Sequence, residues 1–401
     1  MKKALLYTLF ISTAGFAQDA KIDSLNIGSK SNDTTEKVKE GFNFNGYVDI
    51  NYFHNLNRPQ NGTNLGASGY ERAFDQKADQ FQIGLVQTKI SYTHQKSEAV
   101  VDLVFGPHAD LGNYGNVVGP LGATTSLAIK QAYFNWKATK KLVFTAGQFG
   151  THVGYEVIDA PLNFHYSLNN LFNNGPFYHI GAKAAYSFTE KVTLMAGLVN
   201  NWDNLYDNNK YKTIISQLAF VANDKTKLFL NYVGGDETTM KDVNGNTLLK
   251  NDSLHGFKQL IDLVGNFQLT EKFYIGINGV LGQLGYNNNG LREKRNWGGA
   301  ALYVNYAFTD KFTLGARADY LDNTQGVQYI GNTDVVSGTL TGIIKVADDH
   351  LHIKPEVRFD NYKKRSYIGP DTGNIQQFMD RNGNFTLSQQ ITVGMALVYK
   401  F

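Results

Sequence analysis

The chain has 401 residues, no cysteine and a formal net charge of +3, with 40 glycines, 23 tyrosines, 26 phenylalanines and only 7 prolines. At 13% aromatic it is too rich in large rings for a disordered chain, and at 42% hydrophobic it is too polar for a helical membrane protein. Abundant Tyr, Phe, Gly, Asn and Thr describe many twisted strands joined by turns, and the lack of cysteine excludes disulfides and thiolate metal sites.

Lys2 and Lys3 precede an apolar stretch from Ala4 to Phe16, and Gly15-Phe16-Ala17 puts small residues where a signal peptidase reads. Residues 1–17 therefore predict a signal peptide for export. Cleavage after Ala17 leaves Gln18 in place of a lipidated cysteine, and losing two lysines lowers the charge from +3 to +1, which removes a global basic signal for nucleic acid. Residues 18–41 are polar, lack aromatics and predict a flexible periplasmic arm.

From Phe42 the pattern changes. Phe42, Phe44, Gly46, Val48, Ile50 and Tyr52 alternate with Asn43, Asn45, Tyr47, Asp49 and Asn51, the period of a strand with one apolar face. The same alternation runs through Phe312–Tyr320 and Leu351–Phe359, and through Ile391–Phe401 to the terminal aromatic. In Phe81–Tyr92 and Ser126–Trp136 the apolar face slips, which predicts a bulge or a miscounted pair there.

The connections are of two kinds. Seven are tight and polar: His94–Glu98, Ala138–Lys141, Thr189–Lys191, Asn223–Thr226, Thr270–Lys272, Thr309–Lys311 and Ala347–His350. Eight longer ones lie between them, holding five Asn-Gly pairs and six of the prolines. Short turns at one end and long loops at the other predict an all-β fold: a transmembrane antiparallel up-and-down β-barrel over residues 42–401. It has about 16 strands, short periplasmic turns, long extracellular loops and both termini on the short-turn side. A secreted propeller or sandwich would lack that one-sided asymmetry.

No nucleotide loop, Gly-x-Ser-x-Gly elbow or His-Glu-x-x-His pair occurs, so no catalytic residues are expected. Asp242–Asn246 and Asp380–Asn384 resemble the start of a calcium loop but place glycine two positions early and lack the closing Glu, so they read as Asn-Gly turns. His350 and His352 share a strand face without a third ligand at a fixed spacing, which reads as a solvated pair with no metal.

The third long loop, Phe149–Pro176, is the most informative segment. Val153, Tyr155, Val157, Ile158, Leu162, Phe164, Tyr166, Leu168, Leu171 and Phe172 are too many apolar groups for a loop in water, so it must pack, either into the lumen or over a rim or neighbouring subunit. Its run from Gly154 to Ser167 (GYEVIDAPLNFHYS), followed by Leu171-Phe172, Gly175-Pro176-Phe177 and His179-Ile180-Gly181, resembles the signature of the OmpL-like outer-membrane β-barrel porins of Bacteroidetes type. The specific likeness covers residues 147–181 and the layout covers 42–401. The chain carries Leu168-Asn169-Asn170 where the family form often has an arginine. The resemblance implies a passive diffusion channel without a cofactor.

Within that reading, Glu156, Asp159, Asn163, His165 and Tyr166 are the candidate constriction residues. Strand phase turns His179, Lys183, Asp262, Arg317, Asp319, His352, Lys354, Glu356 and Arg358 inward as candidate pore-lining groups. Some of the basic ones are expected to face Glu156 and Asp159 across a narrow gap, a field that sorts solutes by dipole and charge. The expected partners are outer-membrane lipid, small hydrophilic solutes and a homotrimer, with no nucleic acid. The alternatives are a barrel enzyme acting on lipids, which would need an activated Ser or His at the rim, and a surface ligand-binding or adhesion barrel.

Overall fold

A computed structural model describes residues 40–112, 127–204, 207, 209–237, 256–288, 291–328, 330–364 and 377–401. The expected signal peptide and all of the expected arm but its last two residues lie outside them, as does the Asp242–Asn246 turn. The strands in chain order are β1 (Gly41–Asn55), β2 (Phe81–His94), β3 (Ser97–Phe105), β4 (Leu127–Lys137), β5 (Leu142–Gly150) and β6 (Tyr178–Ser187). Next come β7 (Val192–Val199), β8 (Thr213–Asn223), β9 (Thr226–Asp236), β10 (Phe257–Gln268), β11 (Phe273–Asn288) and β12 (Leu291–Thr309). The last six are β13 (Phe312–Asn323), β14 (Thr333–Val346), β15 (Leu351–Lys364), β16 (Phe378–Met379), β17 (Phe385–Leu387) and β18 (Gln389–Lys400). A short helix, α1 (Pro107–Leu111), follows β3.

Strands β1 to β15 and β18 form one closed antiparallel barrel in sequential order, while β16 and β17 make a separate small hairpin. Closure runs through β1 and β18, with Tyr47 opposite Lys400 and Asn55 opposite Thr392. This is the sixteen-stranded up-and-down barrel the alternation predicts, and both ends of the barrel sheet lie beside the short turns.

Four of the seven short turns share one chemistry. Thr139, Thr189, Thr270 and Thr309 each open a Thr-x-Lys turn, and each hydroxyl accepts the backbone N–H groups two and three residues on, at 3.0 to 3.3 Å. The side chain thus satisfies donors that the ladder leaves at its end. Asn223 does the same for Lys225 N at 2.9 Å. On the other side one expected long loop is different: β11 and β12 pair as far as Asn288 and Leu291, so that connection is a hairpin of extended strands. Residues 289–290 between them lie outside the described set.

Both segments with slipped phase contain irregular pairing. Val48 pairs with Val86 and Ile50 with Ile83, so Gly84 and Leu85 together face Asp49, whose carboxylate accepts Leu85 N at 2.7 Å. Between β3 and β4, Asp102 pairs with Gln131 and Leu103 with Ile129, leaving Lys130 as the extra residue. A bulge re-aims the side chain at its extra position, and Lys130 is buried.

Alternation sorts the two faces. On β13, Ala316 and Tyr320 are outward and exposed while Arg317 and Asp319 are buried; on β15, Val357 and Phe359 face out while Glu356, Arg358 and Asp360 are buried. Outward aromatics gather near the short turns, with ring centroids of Trp136 and Phe144 5.7 Å apart, Tyr186 and Phe188 5.1 Å apart, and Tyr306 and Phe308 4.9 Å apart. Such a girdle marks a membrane interface. Leu340, midway along β14 and 48% exposed, sits where a lipid-facing charge costs most. Leu340→Arg should destabilise the barrel by about 2–4 kcal/mol, while Ile344→Arg, nearer the short-turn interface, should cost roughly 0–1 kcal/mol. Denaturant unfolding in lipid vesicles measures both, and equal costs would contradict the assigned lipid face.

Candidate functional site

Between β5 and β6 the chain runs through residues 151–177 with a single 3-10 turn, Phe172–Asn174, and most of its side chains are buried. Inward groups of several strands bond to it. Arg317 on β13 pairs with Glu156 at 2.8 Å and donates to the Ser167 carbonyl at 2.6 Å, while its Nε is 3.0 Å from Asp319. On β15, Lys354 donates to the carbonyls of Ala160 and Asn163 at 2.7 and 2.6 Å. Two residues on, Glu356 accepts Tyr166 N at 2.8 Å and Ser167 N at 3.0 Å, and Arg358 donates to Leu168 O at 2.6 Å. Asp319 accepts Asn170 N at 3.2 Å, and Asp262 on β10 accepts Gly154 N at 2.9 Å.

Period two explains why these anchors line up. Residues 354, 356 and 358 are three successive inward positions of one strand, so they meet successive parts of the same segment. Apolar contacts complete the seat. A Cβ at Gly276 would collide with the Tyr155 ring, and one at Gly315 would collide with the Phe164 ring, so these two wall glycines leave the space those rings fill. Tyr155 also stacks on Tyr303 at 4.0 Å between centroids and shares a 2.6 Å hydrogen bond with the Tyr274 hydroxyl.

The five residues expected on the segment are all buried. Burial pushes the Glu156 carboxyl above its usual range, against the opposing pull of Arg317 and the Asn169 N–H. Asp159 is bonded to Lys130 and accepts Gln87 Nε2 at 2.6 Å. Asn163 closes the segment on itself, accepting Val157 N at 3.0 Å and donating to Val157 O at 2.5 Å. His165 is 2.7 Å from the Thr341 hydroxyl; burial, with Arg317, Lys354 and Arg358 nearby, holds its imidazole well below the usual range, so it is neutral near pH 7. The Tyr166 hydroxyl donates to Asp49 at 2.5 Å and accepts from Asn51 at 2.7 Å.

The nine wall residues sit differently from a solvated lining. Asp262, Arg317, Asp319, Lys354, Glu356 and Arg358 are bonded to the segment as above. His179 is 3.1 Å from the Thr151 hydroxyl, the Lys183 ammonium lies 4.3 Å from the Phe149 ring centroid, and His352 is 2.8 Å from Asp349 at the short-turn rim. His350, the other member of the histidine pair, is 2.8 Å from the Lys400 carbonyl. Glu156 and its base are in contact, so the expected gap between them is closed: buried charges without water need a direct partner.

A cavity of about 670 Å³ lies elsewhere. It is bordered by β1 to β4 through Asn43, Asn45, Tyr47, Gln87, Lys89, Ser91, Glu98, Asp102, Lys130, Gln131 and Tyr133. Residues 156–159, 161 and 162 close the other side, and Asp348–His350, Lys400 and Phe401 mark the short-turn rim. None of the nine wall residues is among its described lining, whereas Glu156 and Asp159 are. The sequence reading missed Lys130, which the bulge takes out of phase, and Asp102, whose inward phase was available from its strand.

The loop between β1 and β2 adds a second buried network. Arg72 pairs with Asp75 at 2.6 Å and with Asp360 on β15 at 2.8 Å, and Arg358 Nε is 2.8 Å from the same Asp360. Arg72 carries no signal in the alternation because it lies outside every strand.

Comparison with known proteins agrees with this architecture. The chain belongs to the family described as Putative beta-barrel porin-2, OmpL-like, whose model matches residues 41–401. It is similar in fold to OmpT, an outer membrane protein of Vibrio cholerae, at TM-score 0.55 and 12% identity over 92% of this chain and 100% of that one. It is likewise similar to the outer membrane channel DcaP of Acinetobacter baumannii, at TM-score 0.54 and 11% identity over 91% and 99%. An anion-selective porin from Comamonas acidovorans matches at TM-score 0.55 and 10% identity over 90% and 100%. No curated protein matches the chain. The family makes the protein a porin-type barrel of the outer membrane.

Arg317 bridges Glu156 of the segment and Asp319 of its own strand, so its loss strands both acids. Arg317→Met should destabilise the folded barrel by about 3–5 kcal/mol, because buried Glu156 and Asp319 would lose their cation. Unfolding in denaturant measures the loss, and a cost below about 1 kcal/mol, as for an exposed pair, would show that these charges are solvated.

Proposed function

We propose that the protein is a non-catalytic porin that passes small hydrophilic solutes down their gradients through a lumen narrowed by the inward-folded third loop. The observation that carries this reading is the set of bonds from residues 154–170 to inward side chains of β1, β10, β13, β14 and β15. A segment lying over the outer rim would not meet inward groups so widely spaced around the ring. The residues left bordering the cavity, Glu156 and Asp159 from the loop against Lys89, Asp102 and Lys130 from the wall, form its constriction. Export by an N-terminal signal peptide and insertion among outer-membrane lipids belong to the same reading. A homotrimer does too, supported by the trimer form described for OmpT of Vibrio cholerae, itself similar to this chain at TM-score 0.53 and 13% identity.

Removing the obstruction tests the reading. Deletion of residues 156–167 should raise single-channel conductance in planar bilayers and admit larger uncharged sugars into liposomes, since the space the loop fills becomes water. Unchanged conductance and an unchanged size limit, with the barrel still folded, would place the solute path away from this loop.

A further inference from the structure

The outward face of the barrel does not end in the same chemistry all round the ring. On β1 and β2 its long-loop end is aromatic: Tyr52 lies ten residues beyond Phe42, and its ring centroid is 5.0 Å from that of Phe81. Across the ring, on β10 to β12, it ends in amides. Gln283 lies ten residues along β11 from Phe273, which stands opposite Tyr306 of the short-turn girdle. Ten residues of a tilted strand rise about 25 Å, the height of an apolar band, so Gln283 sits at the outer edge of that band. Register sets Gln259 beside it on one side and Asn296 on the other. The Tyr232 hydroxyl donates to Gln259 Oε1 at 3.3 Å, Gln259 Nε2 to Gln283 Oε1 at 3.2 Å, and Gln283 Nε2 to Asn296 Oδ1 at 2.9 Å. Gln259 and Gln283 each keep a second N–H and a second lone pair, and Asn296 keeps both side-chain N–H groups. Below the row on the same face are Ile261 and Leu281, 51% and 72% exposed. Above it are Phe257, 49% exposed, and Lys294, exposed and without an ion-pair partner among the described residues.

We propose that this sector of the outer wall is a docking surface for one glycolipid of the outer leaflet, its phosphorylated amino-sugar headgroup on the amide row and its acyl chains on the lipid face below. Acyl chains alone cannot bond the free amide groups, which are costly to leave unpaired at the hydrocarbon edge. A sugar ring presents hydroxyl and amide groups that are both donors and acceptors, matching those left over on Gln259, Gln283 and Asn296. Its apolar face can cover the Phe257 ring, and Lys294 supplies the charge that a phosphate needs. The row is continuous with the lipid face through Ile261 and Leu281, so the occupant is a membrane lipid and not a free saccharide. A plain phospholipid offers the phosphate but few hydroxyls, which leaves the amides unmatched.

Native mass spectrometry of the full-length barrel in detergent tests this with three probes: bisphosphorylated lipid A, the same lipid stripped of its phosphates, and phosphatidylglycerol. The barrel should retain one lipid A per chain, in preference to phosphatidylglycerol by about tenfold. Gln259→Leu combined with Gln283→Leu, a change that suits a lipid-facing wall, should weaken lipid A binding about tenfold. Lys294→Gln should weaken the phosphorylated form by about two- to fivefold and leave the stripped form unchanged. Tyr52→Leu, across the ring, should change neither. Equal retention of phosphatidylglycerol, or full lipid A binding by the double Leu variant, overturns the site. A double Leu variant that loses an oligomeric mass but keeps its lipid A gives the row to a second copy of the chain and overturns the site as well. Equal effects of Lys294→Gln on both forms of lipid A overturn the phosphate contact. The docking surface depends on the membrane placement of the barrel and not on the pore reading, so a barrel that binds lipid A and passes no current counts against the pore alone.

Discussion

Everything in this molecule follows from one constraint: inside a bilayer no water is present to bond backbone N–H and C=O groups, so each must find a partner in the chain. A single chain of strands meets that demand by joining its first strand to its last, as β1 does with β18. Closure in turn fixes side-chain direction. Every second residue meets lipid and every other one the interior, so a strand such as β15 carries Val357 and Phe359 on one side and Glu356, Arg358 and Asp360 on the other.

The polar interior then creates a second demand. Where water is displaced, a charge needs a direct partner. Lys354, Glu356 and Arg358 find theirs in the backbone of residues 160–168, and Arg317 finds Glu156. Paired charges of this kind contribute little net stability compared with a well-packed apolar seat, yet they fix where the segment can sit. The apolar rings of Tyr155 and Phe164 against Gly276 and Gly315 supply the packing that the charges position. Residues such as Arg317 and Lys354, which a strand-by-strand reading assigns to a solvated wall, are therefore bonded to the loop, and a cavity of about 670 Å³ borders β1–β4.

Much of the barrel was legible in the sequence because its cause is local. Alternation in Phe312–Tyr320 and Leu351–Phe359 names the faces, and Thr-x-Lys at residues 139, 189, 270 and 309 marks the turns. The β11–β12 hairpin was not legible as such, since both strands continue beyond the apolar alternation that signals a membrane-spanning strand. Lys130 was hidden by the bulge that turns it inward, although the slip of phase around it was visible. The candidate site was legible as a segment but not as a set of pairs: Glu156 and Arg317 stand 161 positions apart, and only the closed ring brings them together.

The measurement that tests the account most directly is the single-channel current of the purified, full-length barrel in a planar bilayer, with uncharged polymers of graded size added to report the bore. The account predicts discrete steps and exclusion of all but the smallest polymers, because residues 154–170 bond to inward groups of β1, β10, β13, β14 and β15. Silence from a folded barrel, or free entry of polymers that an unobstructed sixteen-stranded bore would admit, would contradict it.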